Sequence, residues 1–155
     1  MHLDYQWFEA KNIAPRCEFD YGISYTTCTY SGLSLKAAFT SAAAANAAKV
    51  STSTQPGGES GLYSNALTAS FSVKNARALA SDEVTQVYLD FSPCALRGFA
   101  CRYIDKGESA GFSIGLQDTS IWDVITQSRV IPTGEFMVCV GSSSRRLKLT
   151  KTFRL

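Results

Sequence analysis

The side chains with the most chemical potential in this chain are five cysteines, at positions 17, 28, 94, 101 and 139. None of them is spaced as CxxC, and the only histidine is His2, so the sequence argues against a zinc site. Without an internal histidine, a Ser/His/Asp or Cys/His triad would also lack its base. We therefore predict no catalytic residue, no metal and no cofactor. Cys94 and Cys101 flank a short predicted loop and could pair as a disulfide, while the odd total leaves at least one thiol unpaired.

Aromatic side chains are the second group with binding potential. Trp122 followed by Asp123 has the make-up of a sugar platform, because an aromatic face beside a carboxylate suits a pyranose ring. The competing interpretation, which we favour, places this tryptophan in the core of the protein. The better candidates to meet a ligand or a partner, if they are exposed, lie near the N-terminus: Tyr5, Trp7, Tyr21 and Tyr25.

The C-terminal end of the chain is basic. Its cations are Arg145, Arg146, Lys148, Lys151 and Arg154. Positive charge on an edge strand guards against pairing with another chain, and we favour this role over contact with a polyanion.

Composition narrows the class of protein. The chain has 155 residues, of which 45% are hydrophobic and 18% charged, enough for one domain with a sizeable core. A net charge of +2 gives no reason to expect nucleic acid as a partner, and no apolar run is long enough for a membrane span. The N-terminus has neither a basic start nor an apolar run, so we expect no signal peptide there. The chain is then either a piece of a longer secreted protein or a cytoplasmic protein.

The elements that must position these residues are strands. Between residues 109 and 117, apolar and small or polar side chains alternate, which is the period of a half-buried strand. Residues 67–74 repeat the pattern, and residues 83–91 are apolar on both faces, as expected of a central strand that is covered on its outer side. Strands of this length and spacing predict an all-β fold, an antiparallel β-sandwich of seven to nine strands.

The chain divides into an aromatic-rich N-terminal arm, residues 1–28, and a sandwich, residues 29–155. Residues 40–62 are rich in Ala, Ser and Gly and are expected to form a flexible insertion, with a short helical or extended stretch at 42–49. The arm lacks clean periodicity, so we expect it to lie extended over a surface. That surface belongs either to this domain's own sandwich or to a neighbouring domain.

Residues 15–35, PRCEFDYGISYTTCTYSGLSL, resemble the segment by which fungal family-3 glycoside hydrolases, chiefly β-glucosidases, begin their C-terminal fibronectin type III-like domain. Further motifs follow the pattern of that domain in order: EVTQVYLDF (83–91), LRGF (96–99), KGES (106–109), SIWDVITQSRVIPTG (120–134) and VGSSSR (140–145). The resemblance covers about residues 3–155. It implies a fibronectin type III or immunoglobulin-like sandwich and an extracellular location.

The resemblance argues against an enzyme. In that family the aspartate nucleophile and the glutamate acid/base lie in upstream domains that have no counterpart here. A retaining glycosidase needs two carboxyls roughly 5–5.5 Å apart, and no spacing in this chain favours such a pair. We therefore predict a non-catalytic scaffold or interaction domain that contacts a neighbouring domain or carbohydrate. The alternative is a stand-alone carbohydrate-binding module or lectin.

The chain departs from the family pattern at several positions. Cys17, Cys28 and Cys139 stand where relatives carry bulky residues, which predicts free, semi-buried thiols. Asp20 replaces the small residue of a Gly-Tyr-Gly motif, at a place where a carboxylate would disturb tight domain packing.

Overall fold

The computed structural model describes residues 4–38, 54–55, 58–59, 65–90, 94–117, 119–125 and 127–154, with backbone alone for 54–55, 58–59 and Trp122. The described helix is α1 (Tyr5–Ala10). The strands are β1 (Cys28–Ala37), β2 (Thr54–Gln55), β3 (Gly58–Glu59), β4 (Leu67–Asn75), β5 (Ser81–Asp90), β6 (Cys94–Ile104), β7 (Ser109–Leu116), β8 (Ile121–Asp123), β9 (Ser128–Val130), β10 (Glu135–Gly141) and β11 (Leu147–Arg154).

Two antiparallel sheets form the body of the protein. The smaller sheet has three strands in the order β1-β4-β7, and the larger has four in the order β11-β10-β5-β6. Two ribbons, β2-β3 and β8-β9, lie outside these sheets. The predicted all-β sandwich is confirmed, and the seven strands of the two large sheets fall within the predicted seven to nine.

The core lies between the two sheets and follows from the alternation in the sequence. On β4, every second side chain from Leu67 to Val73 is buried, while those between them are more exposed. Phe71 pairs with Phe112 on β7, and their rings stack with centroids 5.5 Å apart. Val87 and Leu89 of β5 join the same cluster from the opposite sheet. Each such side chain stabilises the fold by about 1.5–3 kcal/mol when it is fully buried.

Strand β5 is buried on both faces, as its sequence predicts. Val87 and Leu89 point into the core, while Gln86 and Tyr88 point to the outer face and are also buried. Towards the start of the strand this outer cover ends, because Val84 is exposed. The outer layer over Gln86 and Tyr88 comes from the residues that precede β1.

The structure contains one helix that the sequence did not predict, and the stretch for which a short helix was considered lies outside the described residues. Helix α1 was not predicted, because a six-residue helix without a side-chain cap has no clear signature in the sequence. The alanine run at 42–49 lies outside the described residues. So does the insertion at 40–62, apart from the backbone of ribbon β2-β3.

Asn75, at the end of β4, connects three parts of the chain through its fully buried side chain. Its amide nitrogen donates to the carbonyl oxygens of Leu79, at 2.7 Å, and Ile104, at 3.2 Å. Its Oδ1 accepts hydrogen bonds from the Thr26 hydroxyl and from the backbone N–H of Arg77. One amide thus joins the N-terminal segment to both sheets.

We expect Asn75→Ala to lower the free energy of unfolding by about 2–3 kcal/mol, because the variant leaves buried hydrogen-bonding groups without partners. Asn75→Asp should cost at least as much, since a carboxylate would face two carbonyl oxygens. Urea denaturation measures both. The control is Lys74→Ala, an exposed neighbour on the same strand, which should change stability by less than about 0.5 kcal/mol. Equal stability of Asn75→Ala and Lys74→Ala would contradict the connecting role of Asn75.

Candidate interaction surface

The segment before β1, residues 4–27, packs on the outer face of the four-stranded sheet. Tyr5 stacks on Phe19 with ring centroids 4.4 Å apart and meets Tyr88 edge-on at 6.3 Å. The hydroxyl of Tyr5 also accepts a hydrogen bond of 3.0 Å from the backbone N–H of Leu96 on β6. These contacts fix the beginning of the segment across β5 and β6. Of the two surfaces left open by the sequence, the domain's own sandwich is therefore the one that residues 4–27 cover.

A buried hydrogen-bond network holds the middle of the segment. The side-chain amide of Gln86 donates to the carbonyl oxygens of Asp20, at 3.1 Å, and Ser142, at 3.2 Å. The Tyr88 hydroxyl donates to Oε1 of Gln86. Burial, reinforced by the neighbouring Tyr5 and Asp20, holds the pKa of Tyr88 well above its ordinary value, so this hydroxyl stays a donor. The outer face of β5 thus binds the backbone of the segment directly.

Two arginines next to β11 hold the segment from the other side. The guanidinium of Arg146 lies 4.3 Å from the ring centroid of Tyr21 and 3.5 Å from a carboxylate oxygen of Glu18. Arg145 donates a 2.7 Å hydrogen bond to the carbonyl oxygen of Ile13. The Ser143 hydroxyl also donates to Glu18. Strand β11 is at the edge of its sheet, where the sequence placed it, and these two cations have a second task in anchoring the segment.

The predicted binding residues do not gather into one site. Tyr5 is half-buried and engaged with the sheet, and the face of Tyr21 is covered by Arg146. Trp7 is exposed and contacts Phe8 edge-on, while Tyr25 is 87% exposed. Asp123 is half-buried on ribbon β8-β9, where its carboxylate accepts a hydrogen bond from the backbone N–H of Ile125. The side chain of Trp122 lies outside the described residues.

The disulfide that the sequence left possible between Cys94 and Cys101 is not formed. Both cysteines are free and belong to the same extended strand, β6. Seven residues of strand separate them by about 23 Å, whereas the Cα atoms of a disulfide lie within about 7 Å. The possibility fails because β6 begins at Cys94, so residues 94–101 form strand where the sequence suggested a short loop.

The other cysteines are also free thiols, but their burial differs from one to the next. Cys28 is half-buried as predicted, and burial together with Glu83 raises its pKa to about 11. Cys139 is fully buried and Cys17 is exposed, so the prediction of a semi-buried thiol is wrong for both.

Sequence reasoning missed an exposed aromatic pair on the outer face of β6. Phe99 and Tyr103 are 69% and 62% exposed, and both lie on the same face of the strand as the exposed Cys101. Val84, which pairs with Cys101 across β5 and β6, continues this surface. The signal was present in the sequence, because Phe99, Cys101 and Tyr103 alternate with the period of a strand face.

The comparisons with known proteins agree with this fold. Residues 83–144 match the fibronectin type III-like domain family. The whole chain is 42% identical, over 164 aligned residues, to a part of the probable beta-glucosidase L of Neosartorya fischeri, and this part is 21% of that protein. It is 38% identical to 21% of the probable beta-glucosidase D of Aspergillus flavus. The chain spans about a fifth of the length of these curated relatives.

Solved structures give the same result. The beta-D-glucoside glucohydrolase from Trichoderma reesei superposes with a TM-score of 0.86 at 35% identity, over 98% of this chain and 22% of that one. The beta-glucosidase from Chaetomella raphigera superposes with a TM-score of 0.83, also at 35% identity, and covers 98% of this chain and 22% of its own. In the part of the chain that the structure describes, no helix is long and apolar enough to cross a membrane.

Asp20 carries a conformational cost that the structure makes visible. Its φ is 57°, in the left-handed region that favours glycine, and its side chain is exposed. We expect Asp20→Gly to raise the free energy of unfolding by about 0.5–1 kcal/mol and Asp20→Ala to lower it. The control is Asp82→Gly, an exposed position on β5, where glycine should destabilise by about 0.5–1 kcal/mol. Thermal denaturation of the three variants measures these changes. An Asp20→Gly variant that is no more stable than the parent would contradict the conformational cost at Asp20.

Proposed function

We propose that this chain, a fibronectin type III-like domain corresponding to the C-terminal part of fungal family-3 β-glucosidases, is a non-catalytic module that packs against a neighbouring protein domain. We place this role outside the cell, as the family resemblance implies. The neighbouring domain is the remainder of a β-glucosidase-like protein, of which a chain of this length makes up about a fifth.

The observation that carries the proposal is an apolar patch whose backbone is held in place by hydrogen bonds. The patch consists of Ile23, Tyr25 and Leu79, which are 90%, 87% and 59% exposed and lie on the two stretches of chain that the contact between Ser24 and Ser81 joins. Apolar side chains exposed together in this way are typical of protein–protein contact surfaces.

Hydrogen bonds fix the backbone that carries this patch before, within and after residues 23–25. Before it, the carbonyl of Asp20 is bound by Gln86, and within it the hydroxyl of Ser24 contacts that of Ser81 at 3.3 Å. After it, Thr26 is bound to Asn75, whose amide also holds the carbonyl of Leu79. A surface that is already ordered loses little conformational entropy when a partner binds, which favours affinity.

The first test is a complementation experiment. The β-glucosidase of Neosartorya fischeri is expressed without the part that matches this chain, and this chain is co-expressed with it. We expect the two to co-purify and the chain to raise the thermal stability and the aryl β-glucosidase activity of the truncated enzyme. Ile23→Ser and Tyr25→Ser should weaken co-purification at least tenfold, because each exposes a polar group to the apolar contact.

The control variants are Val124→Ser and Ile125→Ser, which replace apolar residues that are 71% and 90% exposed but lie on the turn of ribbon β8-β9. They should bind like the parent. The chain alone should hydrolyse no aryl β-glucoside. Hydrolysis by the chain alone, or equal binding by the patch variants and the control variants, would overturn the proposal.

Carbohydrate binding is a second candidate function, and the exposed aromatic pair on β6 favours it. Phe99 and Tyr103 are four residues apart on one strand face, so their Cα atoms are about 13 Å apart. Exposed rings along a flat strand can stack against successive sugar rings of an extended polysaccharide, which buries their apolar faces. This surface differs from the one around Trp122 and Asp123 that the sequence indicated.

Electrophoresis through a gel containing soluble β-glucan tests this second function. We expect the chain to be retarded, and Phe99→Ala and Tyr103→Ala each to restore most of its mobility. Val84→Ala is the matched control, since it shortens an aliphatic side chain on the same surface without removing a ring. Unretarded migration of the parent chain in β-glucan, chitin and xylan gels would exclude polysaccharide binding by this surface.

A further inference from the structure

The backbone edge of β6 has no role in the proposals above. Strand β6 is the longest of the described strands, with 11 residues, and it stands at the end of the four-stranded sheet. Among the described residues, β5 alone pairs with it, so its other side presents backbone N–H and C=O groups that a further strand can pair with. The pairing with β5 skips Arg97 in a bulge, and β6 is therefore regular from Gly98 to Ile104.

The two edges of this sheet differ in charge. At the opposite edge, β11 carries three exposed cations, which disfavour pairing with another chain: Lys148, Lys151 and Arg154. The regular part of β6 carries one charge, that of Arg102. Its guanidinium lies 5.7 Å from the ring centroid of Phe112 on β7, on the side of the other sheet. The outer side of β6 therefore lacks the positive charge that protects β11.

The pattern of side chains on β6 fits a second copy of the same strand. In an antiparallel pair with a twofold axis, the numbers of two opposite residues have a constant sum, which is even because opposite residues share a face. With the axis at Cys101, Phe99 of each copy lies opposite Tyr103 of the other. All three side chains are exposed on the outer face. Two aromatic pairs then form across the strands, and such pairs stabilise a sheet.

Charge favours the same register. If the axis passed through Arg102, the two guanidiniums would lie directly opposite each other, and like charges in that position destabilise a strand pair. If it passed through Ala100, Phe99 would face Cys101 and both aromatic pairs would be lost. With the axis at Cys101, Arg102 of each copy lies opposite Ala100 of the other. The register that pairs the rings is therefore also the one that keeps the cations apart.

We propose that two copies of this chain associate through β6, antiparallel and centred on Cys101, so that their two four-stranded sheets become one continuous sheet. The four rings, each more than half exposed, can bury at most roughly 500 Å² in total. Stable complexes bury about 1,200–2,000 Å². The association is therefore weak and depends on protein concentration. It requires neither the neighbouring domain nor the polysaccharide of the proposals above.

Sedimentation equilibrium under reducing conditions tests the association. Between about 10 µM and about 1 mM, we expect the average mass to rise towards that of a dimer. Phe99→Lys places a cation opposite Tyr103 of the other copy and should weaken the association by about tenfold or more. The matched control is Val124→Lys, which adds the same charge at a residue that is 71% exposed, on the turn of ribbon β8-β9. It should associate like the parent.

Disulfide trapping tests the register. Opposite Cα atoms of antiparallel strands are about 4.5–5.5 Å apart, which is within the range of a disulfide. In the Cys17→Ser variant, Cys101 is the only exposed thiol. Diamide, which accepts two electrons and two protons from a pair of thiols, should therefore link Cys101 of one copy to Cys101 of the other.

Two further variants in a Cys17→Ser/Cys101→Ser background separate this register from random collision. Phe99→Cys alone and Tyr103→Cys alone should not crosslink, because identical positions would lie four residues apart along the strands, at about 13 Å. An equimolar mixture of the two variants should crosslink, since positions 99 and 103 face each other. Circular dichroism checks that each variant is folded.

Three results would overturn the proposal. The first is a parent chain that stays monomeric at about 1 mM, whether or not β-glucan retards it, because the rings would then have no role in self-association. The second is equal association of Phe99→Lys and Val124→Lys. The third is crosslinking of either single cysteine variant as fast as that of the mixture, which would exclude the register centred on Cys101.

Discussion

The burial of β5 on both of its faces is the constraint on which the rest of this structure depends. A two-layer sandwich covers only one face of each sheet, and here the inner face of β5 carries Val87 and Leu89. The outer face carries Gln86 and Tyr88, whose polar groups are costly to bury without partners. A third layer is therefore required. The segment before β1 supplies it by offering the carbonyl of Asp20 and the ring of Tyr5.

This third layer explains why charged residues gather next to β11. Glu18 and Arg146 meet on the surface, where an isolated ion pair contributes little. Here Arg146 also stacks on Tyr21, and Glu18 also accepts a hydrogen bond from the hydroxyl of the buried Ser143. Several weak contacts together therefore offset the conformational entropy lost in ordering the two side chains. The N-terminal segment is held by this cluster at one side and by Asn75 at its end.

The sequence predicted the strands well, because alternate side chains of a strand face the core and the solvent. This leaves a period of two that is visible in the local sequence. It predicted the two-faced burial of β5 for the same reason. It did not predict α1, whose six residues lack a cap and fold through contacts with the sheet. The possible disulfide between Cys94 and Cys101 does not form because residues 94–101 are strand and not the expected loop. Strand boundaries depend on pairing with β5 and not on the local pattern.

The candidate sites were harder to predict, because residue type does not decide exposure. Tyr5 and Tyr25 look alike in the sequence, yet the first packs against Tyr88 and the second is almost fully exposed. What separates them is where the segment crosses the sheet: Tyr5 lies over the buried end of β5, and the chain around Ser24 runs past its beginning at Ser81. The segment therefore has two functions along its length. Its first half completes the domain, and its second half presents ordered apolar side chains to a partner, which only a segment anchored by its first half can do.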